Sequence, residues 1–345
     1  MSVLITIGII VVFVAAILLY FQLNGGLGFP WLAFYAKGKE SGFTFGEISL
    51  LRKAAVDTRL DNPTSLFWSV RQLDKTIKNY ILKVRAEGKE DDPKVVRFIS
   101  SLYDFRKRIE FNSPKYKAGI KSTREIVVSQ KVRINLPGSG ATYVSSVVEP
   151  GRKYLALSYP QGPALPPGFS WKGQKINVYF WRAEDAGYFF ESKVIDDYLD
   201  RRYPIIHVAH SDNVVRSQKR RSIRCEVNIG ANLYNLASID SANENLERTP
   251  GLRARMVDIS EDGCAILIGG KAKVGLPLKI QFTLTDHPLV MCGLIKGITY
   301  DQNKNRSLLH IQAVPPSPKI RNKILSYVYN IFEERKEIKK RISYS

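Results

Sequence analysis

The rhythm of hydrophobic and polar positions changes three times along the chain. From Val3 to Leu23 there is no alternation at all, and the run is uncharged and almost wholly apolar. At a rise of about 1.5 Å per residue it reaches roughly 30 Å, the thickness of a hydrocarbon core, which predicts a transmembrane helix. A cleaved signal peptide fits less well: no Lys or Arg precedes the run, and Tyr20 and Phe21 stand where a cleavage site needs small residues. Lys37, Lys39, Arg52 and Lys53 follow the span, which predicts an outside N-terminus and a cytoplasmic bulk. Trp31 and Tyr35 are expected at the membrane interface.

From Thr44 to about Asn112 the period is helical. Thr44 and Glu47 have capping-box spacing, and the helix they start is expected to bury Phe45, Ile48, Leu51 and Ala55. Asn62-Pro63 and Asp92-Pro93 repeat the start signal. Leu66, Val70, Leu73, Ile77, Ile81 and Val84 form one stripe, and Val95, Ile99, Leu102 and Ile109 form another. Stripes this short predict a small bundle packed on itself, acting as a spacer, rather than a coiled coil.

Near Arg124 the period falls to two. Strands are expected at Lys131–Leu136, Tyr143–Val148, Tyr154–Ser158, Lys175–Trp181, Tyr188–Val194 and Ile205–Val208, with a Pro-rich loop from Pro160 to Gly168. Short strands at such intervals predict a small barrel or sandwich. The aromatic residues Tyr179, Phe180, Trp181, Tyr188, Phe189 and Phe190 fit sheet packing better than a base-stacking platform. A second alternating region follows, with candidates at Glu226–Leu236, Arg255–Ile259, Ala265–Ile268, Leu278–Leu284, Val290–Tyr300 and Leu308–Val314. Ser317-Pro318 then starts a helix whose apolar face is Ile320, Ile324, Val328 and Ile331.

The chain of 345 residues has room for two β domains beyond the helices, and its formal net charge of +20 favours anionic partners. Three cysteines, Cys225, Cys264 and Cys292, match no zinc spacing and read as reduced, buried thiols. His207, His210, His287 and His310 are scattered, and no metal site is expected. No nucleophile–base pair or phosphate loop is present, so the chain does not read as an enzyme.

Two short stretches carry the candidate chemistry. The first is the basic run Arg216, Lys219, Arg220, Arg221 and Arg224, just ahead of a strand. The second is the turn Asp258-Ile-Ser-Glu-Asp-Gly263 between two strands. Guanidinium groups suit phosphate and the O6/N7 edge of guanine, a carboxylate suits the paired donors on guanine's other edge, and a glycine permits close backbone approach.

Arg220-x-x-x-Arg224 followed by Asp258-x-Ser260-x-x-Gly263 resembles the two-part signature of the PilZ domain, the bacterial cyclic di-GMP receptor. The region Arg124–His210 is similar to the N-terminal domain of flagellar-brake proteins, which pair such a barrel with a PilZ domain. The resemblance implies two small β-barrels, the second six-stranded; with the transmembrane helix and the short helical bundle that the apolar run and the helical periods predict ahead of them, the whole is expected to be mainly β. The expected domains are 1–40 for the anchor, 41–118 for the spacer, 119–212 for the flagellar-brake-like barrel and 213–345 for the PilZ domain with its closing helix. It implies that Arg220, Arg224, Asp258, Ser260 and Gly263 bind cyclic di-GMP, with Arg216, Lys219 and Arg221 as secondary contacts; Lys219 stands where relatives often carry a further arginine. It also implies a ligand without a cofactor and a hinge between the two β domains that the ligand orders; the inner-membrane address is expected from the apolar run and the basic residues after it, since an anchor and helical spacer are not part of the usual soluble flagellar-brake layout. The partner would be a membrane-side protein such as a flagellar motor component. Two other readings stay open at this point: a membrane-tethered adaptor that no longer binds nucleotide, and a membrane-anchored nucleic-acid binder using the net charge.

Overall fold

The computed structural model describes residues 5, 7, 9, 11–15, 25–26, 28–112, 119–182, 186–199, 202–217, 221–284 and 287–332. The chain divides into two compact units, Phe111–Arg221 and the combination of Met1–Glu110 with Ser222–Ser345.

In the first of these units the strands are β1 (Lys131–Asn135), β2 (Thr142–Pro150), β3 (Tyr154–Ser158), β4 (Lys175–Trp181), β5 (Gly187–Tyr198), β6 (Ile205–Ala209) and β7 (Val215–Ser217). They pair in the order β4-β1-β2-β3-β6-β5, and a β4–β5 pairing closes the ring into a six-stranded barrel with β7 added alongside β5. The long strands β2 and β5 each carry a register shift, at Val147/Glu149 and Val194/Asp196. A bulge of that kind bends a strand so that its two ends serve different neighbours. Alternation decides the fate of the aromatic residues. Phe180, Tyr188 and Phe190 point into the core, while Tyr179 and Phe189 pair outside it with centroids 4.9 Å apart. The two neighbouring histidines have separate structural duties. His207 stacks on Tyr154 at 3.7 Å, and the His210 ring bonds Thr123 Oγ1 at 2.9 Å and the Gly151 carbonyl at 2.7 Å.

In the other unit, from Trp31 on, the helices are α1 (Trp31–Glu40), α2 (Phe45–Asp57), α3 (Val70–Ala86) and α4 (Pro93–Asn112). The Thr44–Glu47 capping box forms in full. Phe45, expected in the core, is 63% exposed; Phe43, just ahead of the cap, is buried instead, as is Ile48 four positions into the helix. That is a hydrophobic staple, which takes the residue before the cap rather than the one after it. Asn62-Pro63 starts only a 3-10 turn, Pro63–Phe67, and α3 restarts at an Ser69 cap. Trp31 and Tyr35, expected at an interface, pack against the helical core, with Trp31 Nε1 donating to the Gly26 carbonyl at 3.0 Å; Leu32 is the residue that stands 90% exposed. Among the described residues no helix is long and apolar enough to cross a membrane. The predicted span Val3–Leu23 lies mostly outside the described residues, as do Tyr20 and Phe21.

Six strands follow: β8 (Cys225–Asn235), β9 (Leu252–Ser260), β10 (Gly263–Gly269), β11 (Pro277–Leu284), β12 (His287–Asp301) and β13 (Arg306–Ala313). They close in the order β10-β13-β12-β11-β8-β9. The polar connection after β8 is tied to the barrel: the buried Lys279 ammonium donates to Glu247 at 2.5 Å and Asn243 at 2.7 Å, and the Glu247 amide donates to Gln281 Oε1 at 2.9 Å. Ser317 caps α5 (Pro318–Val328). The bundle does not pack only on itself. One core cluster runs from Phe34 and Leu51 through Ile99 and Tyr103 to Ile259, Ile324 and Ile331. Ser100 Oγ bonds Asn322 Oδ1 at 2.8 Å, Asn322 donates to the Val96 carbonyl, and the Arg106 guanidinium lies 3.6 Å from the centre of the Tyr329 ring. The apolar faces of α4 and α5 thus cover each other, so the helices belong to the same body as the second barrel.

Replacing Thr44 with Ala is expected to cost about 1 kcal/mol in denaturant unfolding. The Thr44 amide hydrogen bond, ahead of the nearby Arg108 charge and against some burial, lowers the Glu47 pKa. A carboxylate held below its unfolded value stabilises at neutral pH, so this contribution should fade as pH falls through the depressed value; Thr44→Ala, which keeps the amide donor, should retain most of that pH dependence, and Glu47→Gln should lose it.

Candidate functional site

The site is built on β8, β9 and β10. Ile259 of β9 lies opposite both Cys225 and Cys264, and all three side chains are buried inside the barrel. Alternation then turns Asp258 outward, in register with Glu226 on one side and Ala265 on the other. Arg224 immediately precedes β8, and its Nη1 comes to 3.7 Å from Asp258 Oδ2. That is an ion pair too long for a good hydrogen bond. The second carboxylate oxygen, Oδ1, is enclosed and finds no hydrogen-bond partner among the described residues. The arrangement holds a carboxylate with one unused oxygen beside a half-exposed guanidinium.

The β9–β10 turn beneath this pair is rigidly specified. Ser260 is buried, and its hydroxyl donates to the Gly263 carbonyl at 3.1 Å. The Asp262 carbonyl accepts from the Ala313 amide of β13 at 2.9 Å. Gly263 has φ +152°, and a Cβ there would lie 2.1 Å from the Ile311 carbonyl oxygen. Only glycine fits, because the obstacle is backbone and cannot swing aside. Burial first, and the Asp258 carboxylate second, push the Cys264 thiol up, so this cysteine stays protonated behind the site.

The structure therefore brings Arg224, Asp258, Ser260 and Gly263 together. Arg220 and Lys219 lie outside the described residues. Arg221 is exposed and Arg216 half-buried on β7 opposite Tyr188; both fall in the unit Phe111–Arg221. Ser260 has a different emphasis from the one expected. Its donor closes the turn, leaving only its oxygen lone pairs for any ligand.

One residue of the turn escaped the sequence reading. Glu261 is 6% exposed, and its two oxygens accept from Lys107 Nζ of α4 and Arg321 Nε of α5, each at 2.6 Å. The only signal in the sequence was its position inside the Asp-x-Ser-x-x-Gly motif.

With this geometry in view, comparison with known proteins is informative. Residues 218–330 match the family model described as PilZ domain, and residues 127–210 match the one described as Flagellar protein YcgR. The chain is similar to the solved structure of the Bacillus subtilis inhibitor of motility MotI/DgrA, at 14% identity over 63% of this chain and 100% of that one, with a TM-score of 0.45. It is also similar to Escherichia coli YcgR in complex with c-di-GMP, at 14% identity over 62% of this chain and 88% of that one, with a TM-score of 0.44. No curated protein matches.

Gly263→Ala is expected to lower stability by at least about 2 kcal/mol, since β10 must move away from β13 to admit the methyl group. A denaturant midpoint equal to that of the parent would show that the turn tolerates a side chain.

Proposed function

We propose that this chain, which carries a PilZ domain over residues 218–330 and a flagellar-brake-type N-terminal domain over 127–210, is a membrane-anchored receptor for cyclic di-GMP. The observation that carries the reading is the Arg224–Asp258 pair above the glycine turn. The unpartnered Asp258 oxygen suits the imino and amino donors of a guanine edge, and the guanidinium suits a phosphate or the O6/N7 edge. An ion pair this long and this exposed contributes little, about 0–1 kcal/mol, so a dianionic ligand displaces it at small cost. Arg220 supplies a second guanidinium four residues earlier, with Arg216, Lys219 and Arg221 adding charge nearby in sequence.

Ligand capture has a consequence for the linker. The basic run crosses the boundary at Arg221/Ser222 between the two compact units. Without a ligand its like charges repel; neutralised by two phosphates, it becomes ordered and restricts the junction. The ordered state would then engage a protein partner, with motility as the process suggested by the flagellar domain. The anchor reading draws on residues 11–15, which are helical, and on Val11, Val12, Phe13 and Val14, which are exposed at consecutive positions. Four consecutive exposed apolar residues span every side of a helix, which water does not favour and lipid does. With Lys37 and Lys39 following, the bulk of the chain would lie on the cytoplasmic side of the inner membrane.

Calorimetric titration of the full chain with cyclic di-GMP should give saturable heat. Arg220→Ala and Arg224→Ala should each weaken binding by about 10- to 100-fold with the barrel still folded. Absence of any binding would leave the adaptor reading, steeply salt-dependent binding to generic DNA would support the nucleic-acid reading, and parent-like affinity in both variants would refute the site. Separately, deleting residues 1–24 should move the protein from the membrane fraction to the soluble one; continued pelleting with membranes would refute the anchor.

A further inference from the structure

The strongest unassigned feature is the charge cluster behind the ligand-facing turn. A buried carboxylate is costly unless each oxygen is matched. Glu261 achieves this with two cations from two different helices, Lys107 on Oε1 and Arg321 on Oε2. Arg321 continues to Asp104 Oδ1 at 2.5 Å. Burial opposes the Arg321 charge, but Glu261 and Asp104 outweigh it and hold its pKa above the ordinary value. Asp104 and Lys107 are three residues apart and so share a face of α4. Four charges thus bind α4 and α5 to the corner of the turn, one residue after Ser260 and two before Gly263.

The turn has no slack through which movement could dissipate. Gly263 is pressed on the Ile311 carbonyl and Asp262 is bonded to Ala313. Asp258 and Glu261 are three residues apart, so a shift of Asp258 toward a ligand has a short covalent path to Glu261 and, through its ion pair with Lys107, to α4. We propose that Glu261 is a positioning residue that couples ligand capture at the β9–β10 turn to the N-terminal helices through Lys107 and Arg321. This inference rests on the receptor reading above and adds a direction to it: occupancy is reported toward the N-terminal end of the chain. Coupling of this kind is reciprocal, so α4 must in turn set the affinity at the turn.

The test uses the full chain, with hydrogen exchange of peptides covering residues 93–112 measured with and without cyclic di-GMP, alongside calorimetry. In the parent, ligand should slow exchange in α4. Lys107→Met, at a half-exposed position, should leave the fold intact, weaken binding by roughly 10-fold, and abolish the response of α4. Lys107→Arg, which keeps the charge, should restore both. A merely structural lysine would alter basal exchange without altering the ligand-dependent difference. If the parent binds but α4 does not respond, or if Lys107→Met binds and responds like the parent, the coupling is refuted while the receptor reading stands. A parent that does not bind the nucleotide refutes the receptor reading and this inference with it.

Discussion

The backbone contact between Gly263 and the Ile311 carbonyl is the constraint on which the rest of the site depends. It sets how closely β10 can lie on β13, and so where the β9–β10 turn sits on the barrel. Once that turn is placed, Asp258 must face outward, Ser260 must close the turn from within, and Glu261 must point into the protein. A side chain at 263 would push all three away together. The glycine matters through the shape it imposes on its neighbours rather than through any contact of its own with a ligand.

Glu261 links that local shape to the larger architecture. Its burial is possible only because α4 and α5 are already packed against the barrel and present Lys107 and Arg321 at the same place. The apolar packing of Tyr103, Ile324 and Tyr329 positions the helices, and the buried charges then specify their alignment against the turn. Such a cluster contributes modest net stability but permits few alternative registers. The outer face of the turn is different in kind: the Arg224–Asp258 pair is long, half-exposed and incompletely satisfied. A rigid, fully matched inner side and a loose outer side suit a surface that exchanges one partner for another.

Much of this was legible in the chain itself. Every expected strand formed, with ends shifted by at most a few residues, because short runs rich in β-branched and aromatic residues between turn formers mark a strand whatever its neighbours are; β7 was not expected. The motif residues Arg224, Asp258, Ser260 and Gly263 converge because two strand starts and one turn suffice to place them. Phe45 against Phe43 went the other way, since helical periodicity alone does not say whether the residue before or after a cap completes the core. Residue type placed Trp31 and Tyr35 near a membrane interface; the structure adds that both are half-buried against the helical core, with Leu32 exposed between them.

The sequence by itself determined the strands, the Thr44 and Ser317 helix caps, the arginine and aspartate motifs, and the apolar N-terminal run. Each of these is a local pattern, set by residues within a turn or two of one another. Only the tertiary structure decided that the helices share a core with the second barrel and that Glu261 is a buried junction. Its partners lie 154 and 60 residues away, and no periodicity carries information over such separations. Long-range pairing of charges follows from where apolar faces come to rest, and that is settled only when the whole unit has folded.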